Sequence, residues 1–153
     1  FSLGELKEAG FSAEELKPAF FLGELKEAGF SAQDLKNAGF SAKDLKEAGF
    51  SSAKDLKEGG FSAKELKEAG FSSAKDLKEA GFSAKDLKET GFSAKDLKEA
   101  GFSAKDLKEA GFSSAKDLKE AGFSSKELAG FSSAKDLKEA GFSSKELGAA
   151  GWW

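Results

Sequence analysis

A ten-residue phrase, cleanest at Phe92–Gly101 as FSAKDLKEAG, recurs intact or altered from Phe1 to Gly151 and leaves no stretch long enough for a separate domain. Units begin at Phe1, Phe11, Phe21, Phe30, Phe40, Phe50, Phe61, Phe71, Phe82, Phe92, Phe102, Phe112, Phe123, Phe131 and Phe142, and Trp152 stands where the next Phe is due. Such a chain has to build its core between copies. A consensus unit carries one Phe, one Leu and two Ala. A helix short enough to fit one unit is marginal alone, since isolated helices below about 12–15 residues rarely persist in water. The expected architecture is therefore a solenoid in which neighbouring units supply each other's core.

Within Phe92–Phe102 both ends of a short helix are written in. Ser93 is a preferred N-cap, and Asp96 three residues later completes a capping box, a place that Glu65 and Glu127 take in other copies. Phe92 and Leu97 have the spacing of a hydrophobic staple. Gly101 suits the left-handed residue of a Schellman turn, after which Phe102 should fold back onto Leu97. The reading is an all-α solenoid of about fifteen helix–turn units, with about seven helical residues in each at 1.5 Å rise.

The same letters admit another fold. Phe and Leu alternate every five residues, so Ala-Gly-Phe-Ser-Ala followed by Lys-Asp-Leu-Lys-Glu resembles two units of the pentapeptide-repeat family. That resemblance implies a right-handed, four-sided β-helix, some of whose members mimic DNA. Lys in the small inward place of every second unit fits it poorly, and the abundance of Lys and Glu with no Val or Ile favours helix. The indels discriminate further. Units at Phe50, Phe71, Phe112 and Phe131 gain a second Ser between Phe and Ala, and the unit at Phe123, FSSKELAG, is two residues short. A five-residue β-coil loses register at each change, whereas a loop before a helix absorbs an extra residue at little cost.

Almost the whole chain also resembles decapeptide-repeat proteins with GFSAKDLKEA-like units, a resemblance that brings no particular activity with it. Residues 1–29 read as divergent repeats forming either a cap or a decayed edge, 30–151 as the regular array, and 152–153 as a Trp-Trp terminus. Pro18 should stop or bend the helix of the second unit. Phe1 is not a translational start, so a processed chain or a piece of a longer one is expected.

Composition narrows the chemistry. There is no His, Cys, Met, Tyr or Arg, so a general base would have to be a carboxylate or Lys, and disulfides are excluded. Ser93 beside Lys95 reads as a cap next to a solvated Lys rather than a Ser–Lys pair, and no glycine-containing loop gathers oxygens for Ca²⁺. The chain is expected not to be an enzyme and to need no cofactor, metal or small-molecule substrate. Net charge is −3, and all of it lies in residues 1–29, where three Lys meet six Glu; the remainder sums to zero. Neutral decads stack without accumulating repulsion, and nothing points to a nucleic-acid or membrane partner. The lack of Met, Cys and Tyr leaves the surface inert to oxidation, a weak lean towards an extracellular fibre, though the location is unknown.

The residues expected to form the core and carry assembly are Phe40, Phe50, Phe61, Phe71, Phe82, Phe92, Phe102 and Phe112, with Leu45, Leu56, Leu66, Leu77, Leu87, Leu97 and Leu107. Trp152 and Trp153 join them, either as a lid over Leu147 or as a contact to another chain. The functional expectation is a structural repeat protein, a subunit or segment of a filament or large ordered assembly whose partner is itself. The alternatives are a scaffold that binds a protein partner and, last, a DNA mimic, against which the neutral decads speak.

Overall fold

A computed structural model describes residues 1–130 and 132–153; the start of the fourteenth repeat at Phe131 lies outside the described residues. Two compact units divide the chain, Phe1–Gly81 and Phe82–Trp153. The first holds α1 (Leu3–Glu8), α2 (Ala13–Leu16), α3 (Leu22–Glu27), α4 (Ala32–Asn37), α5 (Ala42–Glu47), α6 (Ala53–Glu58), α7 (Ala63–Glu68) and α8 (Ala74–Glu79). The second holds α9 (Ala84–Glu89), α10 (Ala94–Glu99), α11 (Ala104–Glu109), α12 (Ala115–Glu120), α13 (Ala134–Glu139) and α14 (Ser144–Ala149). The described residues contain no strand, so the β-helix alternative is overturned. The backbone that would have formed its coils is spent on capped helical turns.

Local chemistry explains each helix. Ser93 Oγ accepts from the Asp96 amide at 3.1 Å, and Asp96 Oδ2 accepts from the Ser93 amide at 2.8 Å. At the other end Phe102 N–H donates to Leu97 O at 3.0 Å and Gly101 N–H to Lys98 O at 2.9 Å, the paired bonds of a Schellman turn. Gly101 has φ +88, a left-handed conformation that costs Gly nothing and other residues about 1 kcal/mol or more. Caps and turn between them hold each helix to six residues or fewer, slightly shorter than the sequence suggested.

Departures from the decad have visible effects. α2 ends at Leu16, two residues before Pro18. In the unit at Phe123 the missing residues leave a run of turns rather than an α-helix, although Ser124 still caps it and Leu128 is fully buried. The inserted Ser is less neutral than expected. Ser52, Ser73 and Ser114 accept from their Asp amides but lack the reciprocal bond, and their ψ of 117 to 122° differs from the 162° of Ser93. Ser133, in the fourth such unit, keeps the full box.

Each unit stacks its helices two apart. In the first, α2 packs on α4, α4 on α6, α6 on α8, and α5 on α7; in the second, α9 packs on α11 and α10 on α12. α12 meets α13 directly because the intervening repeat forms no helix. Sequential neighbours such as α4 and α5, or α10 and α11, also touch, so next-but-one stacking gives two columns per unit. Among the described residues twelve leucines, from Leu25 to Leu137, are essentially sealed from solvent. Burying such a side chain is worth about 2–3 kcal/mol. Within the first unit, the next-but-one contact is close: a Cβ on Gly59, the C-cap of α6, would fall 2.7 Å from the Ala32 Cβ at the start of α4. Ala occupies that C-cap place in the consensus, and here only Gly fits without a shift of Ala32.

Candidate functional site: a ladder of lysines, glycine carbonyls and phenyl rings

Every consensus decad carries two lysines, and the fold treats them differently. The first of each pair, typified by Lys95, is exposed and lies 4.0 Å from Glu99 one turn along its own helix. The second reaches out of its repeat. In the first unit Lys7 Nζ donates to Gly29 O at 2.5 Å, Lys17 to Ala38 O at 3.0 Å, Lys26 to Ala48 O at 3.2 Å and Lys46 to Gly70 O at 2.9 Å. Lys36 donates to Gly60 O and also lies 3.4 Å from Glu65 Oε2. In the second unit Lys88 reaches Gly111 O at 2.6 Å, and Lys98 and Lys119 reach Gly122 O and Gly141 O. Each acceptor closes the helix two repeats further on.

The same ammonium lies over the ring that follows that acceptor. Lys17 is 4.4 Å from the Phe40 centroid, Lys46 is 4.6 Å from Phe71, Lys98 is 4.7 Å from Phe123, and Lys119 is 4.6 Å from Phe142. Two attractions converge there. Helix C-termini leave carbonyls unsatisfied and carry partial negative charge that a cation relieves. A cation over an aromatic face adds about 0.5–1 kcal/mol at an exposed site.

The expected core residues fall into grades. Leu45, Leu56, Leu66, Leu77, Leu87, Leu97 and Leu107 are all fully buried. Phe61, Phe82, Phe92 and Phe102 are buried, whereas Phe40, Phe50, Phe71 and Phe112 are half-buried. Trp152 is half-buried and its amide donates to Leu147 O at 3.2 Å, the bond a Phe makes in the consensus. Its indole N–H is buried with no hydrogen-bond partner among the described residues. Trp153 is 72% exposed, with its indole against the Cα of Gly148.

The second lysine was not singled out by the sequence, because within one decad nothing separates Lys98 from Lys95. One sign was available. The second lysine is absent from two units alone, where Ala129 and Gly148 stand in its place, whereas the first varies more freely.

Seven serine-bonded carboxylates, Glu5, Glu15, Asp44, Glu65, Glu127, Asp136 and Glu146, are held below their ordinary range. At Asp44 and Asp136 the bond from the serine hydroxyl, Ser41 or Ser133, is the main cause, with the serine amide second. At Glu5, Glu15, Glu65, Glu127 and Glu146 the serine amide dominates. These are structural caps whose charged form the helix start prefers. Among the described residues no group of three or more His, Cys, Asp or Glu is placed to hold a metal, and no helix is long and apolar enough to cross a membrane.

The family described as a decapeptide repeat region matches residues 1–73 and 51–125. The chain belongs to that family. Comparison with curated proteins and with solved structures finds no match. Membership agrees with the structure on the unit of construction, since helices recur with the decad through the matched residues.

Proposed function

We propose that this decapeptide-repeat protein is a non-enzymatic structural element, a subunit or stretch of an ordered assembly whose principal partner is another copy of itself. The observation that carries this reading is the ladder. Among the described residues, the side-chain bonds from Lys7 to Gly29, Lys46 to Gly70 and Lys88 to Gly111 each join one repeat to a later one, so these contacts of the fold are contacts of stacking. Neutral decads add units without charge penalty, and α10 and α11 each carry an exposed Lys–Glu pair, Lys95–Glu99 and Lys105–Glu109. Electron microscopy with sedimentation over a wide concentration range tests it. Regular assemblies whose mass grows with concentration are expected, and a folded monomer at every concentration would overturn the proposal.

A second reading, a scaffold for a protein partner, is favoured by one feature. Each unit carries a groove of about 400 Å³ at corresponding places, one lined by Lys36, Phe40, Lys43, Phe61 and Glu65, the other by Lys98, Phe102, Lys105, Phe123 and Glu127. In both, Glu replaces the consensus Asp. Specific capture of a peptide that Glu65→Ala and Glu127→Ala together abolish would support this reading instead.

A further inference from the structure

We infer that the surface of Phe1–Phe21 is the docking face for residues 134–153 of a second copy, joined head to tail in the register of the internal repeats. The inference rests on the assembly reading above and adds to it which surfaces meet.

Inside each unit two rules hold. The small residue that opens a helix is covered by the repeat two further on, as Ala32 is approached by Gly59 and as Ser125 Oγ donates to Glu146 O at 2.8 Å. The second lysine covers the glycine carbonyl two repeats on and the phenyl three repeats on. The two surfaces named lack opposite halves of these contacts. At the first, Phe1, Phe11 and Phe21 are exposed, and so are Ala9 and Ala19, in the place where Ala38 and Ala100 are buried. No lysine reaches the Gly10 carbonyl or the Phe11 ring among the described residues. At the second, Ala134 and Ser144 open their helices exposed, where Ala42, Ala94 and Ala104 are buried. The Lys138 side chain is exposed there, and its ammonium has no ion pair or hydrogen bond among the described residues.

Continuing the count across two molecules pairs these groups one to one. Ala134 falls under Ala9 of the next copy, and Ser144 under its Ala19. Lys138 is in register for the Gly10 carbonyl and the Phe11 ring. At the last repeat Gly148 replaces the lysine, and the Trp153 indole lies on it. The ring that lysine would cover is Phe21, so an aromatic pair stands in for the cation there. Trp152 already holds the phenylalanine place of the following repeat, which leaves Phe1 outside the register. A contact between unlike faces is heterologous and propagates.

The test uses two full-length variants at exposed positions, Ala9→Arg, which blocks one face, and Ala134→Arg, which blocks the other. Circular dichroism checks that the helices of both are retained. In sedimentation velocity the wild type should assemble, and each variant alone should need at least about tenfold more protein to associate, as the loss of a central contact does. An equimolar mixture of the two should form a dimer and stop, because each supplies the face the other lacks. Assembly of both variants as readily as the wild type would overturn this register while leaving self-assembly standing. A monomeric wild type would overturn both. Should Ala134→Arg lose helix, Lys138→Glu on the same face replaces it, and should Ala9→Arg lose helix, Ala19→Arg replaces it; each should weaken assembly to the same degree.

Discussion

The first repeat, Phe1–Gly10, and the tenth, Phe92–Gly101, fold alike and are buried very differently. Both form a six-residue helix with a serine cap, a complete capping box and a glycine at positive φ. Yet Phe1 is fully exposed and Leu6 half-buried, while Phe92 and Leu97 lie in the core. Ala9 is exposed where Ala100 is covered. Backbone conformation here is a property of the decad, and burial is a property of the repeats on either side of it. The helix is specified locally, the core only by stacking.

That contrast can be broken most sharply at the core. Leu97→Ala and Phe92→Ala should each cost about 3–5 kcal/mol, as for other large-to-small core changes, whereas Phe1→Ala should fall within about 0.5 kcal/mol. Chemical denaturation monitored by circular dichroism measures all three. Equal effects at Phe92 and Phe1 would show that burial does not distinguish the two repeats.

The lysine ladder comes next. Lys98→Ala removes a charged bond to a helix end and a cation over a ring, so a loss of about 1–2 kcal/mol is expected, discounted for partial exposure. Lys95→Ala, on the same helix, should stay within about 0.5 kcal/mol. Indistinguishable midpoints for these two variants would mean that the ladder contributes nothing measurable.

A smaller effect per site, summed over the array, is a dependence on pH. The capping carboxylates at Asp44, Asp136, Glu5, Glu15, Glu65, Glu127 and Glu146 have folded pKa values below their unfolded ones. In the interval between the two values the unfolded chain binds more protons than the folded one, so stability rises with pH there. The contribution is present in full above the unfolded values, roughly pH 4 to 4.5, and is lost as pH falls through the depressed folded values. The thermal midpoint should be level between about pH 7 and 5 and fall below about pH 4. Replacing Ser41 and Ser133 with Ala should flatten that fall. A midpoint that rises on acidification contradicts the cap assignment.

The smallest expected effect is at the inserted serines. Deleting Ser113 turns FSSAKDLKEAG into the consensus decad and should restore the missing half of the box at Asp117, a gain of about 0.5–1 kcal/mol. If the deletion destabilises, the longer loop is needed to seat Phe112, and the half-formed cap is its accompaniment.

How far the chain could be read from its letters follows the same division. Ser-x-x-Asp, the Phe–Leu spacing and the terminal glycine encode interactions closed within about ten residues, so helix, cap and Schellman turn were legible in one copy. Repetition of that copy made a solenoid unavoidable, because no single decad can bury its own Phe and Leu. What one copy could not reveal was the difference between Lys95 and Lys98, since the carbonyl and ring that Lys98 meets belong to later repeats, with Gly122 24 residues away. Nor could it reveal that Ala134 and Ser144 stay exposed while Ala94 is buried, or that Phe40 is less covered than Phe61. Short-range hydrogen bonding is determined by sequence neighbours and was readable there. The partners of the second lysine, and the surfaces left uncovered, depend on how many repeats make one turn, and that number was decided only when the helices packed two apart.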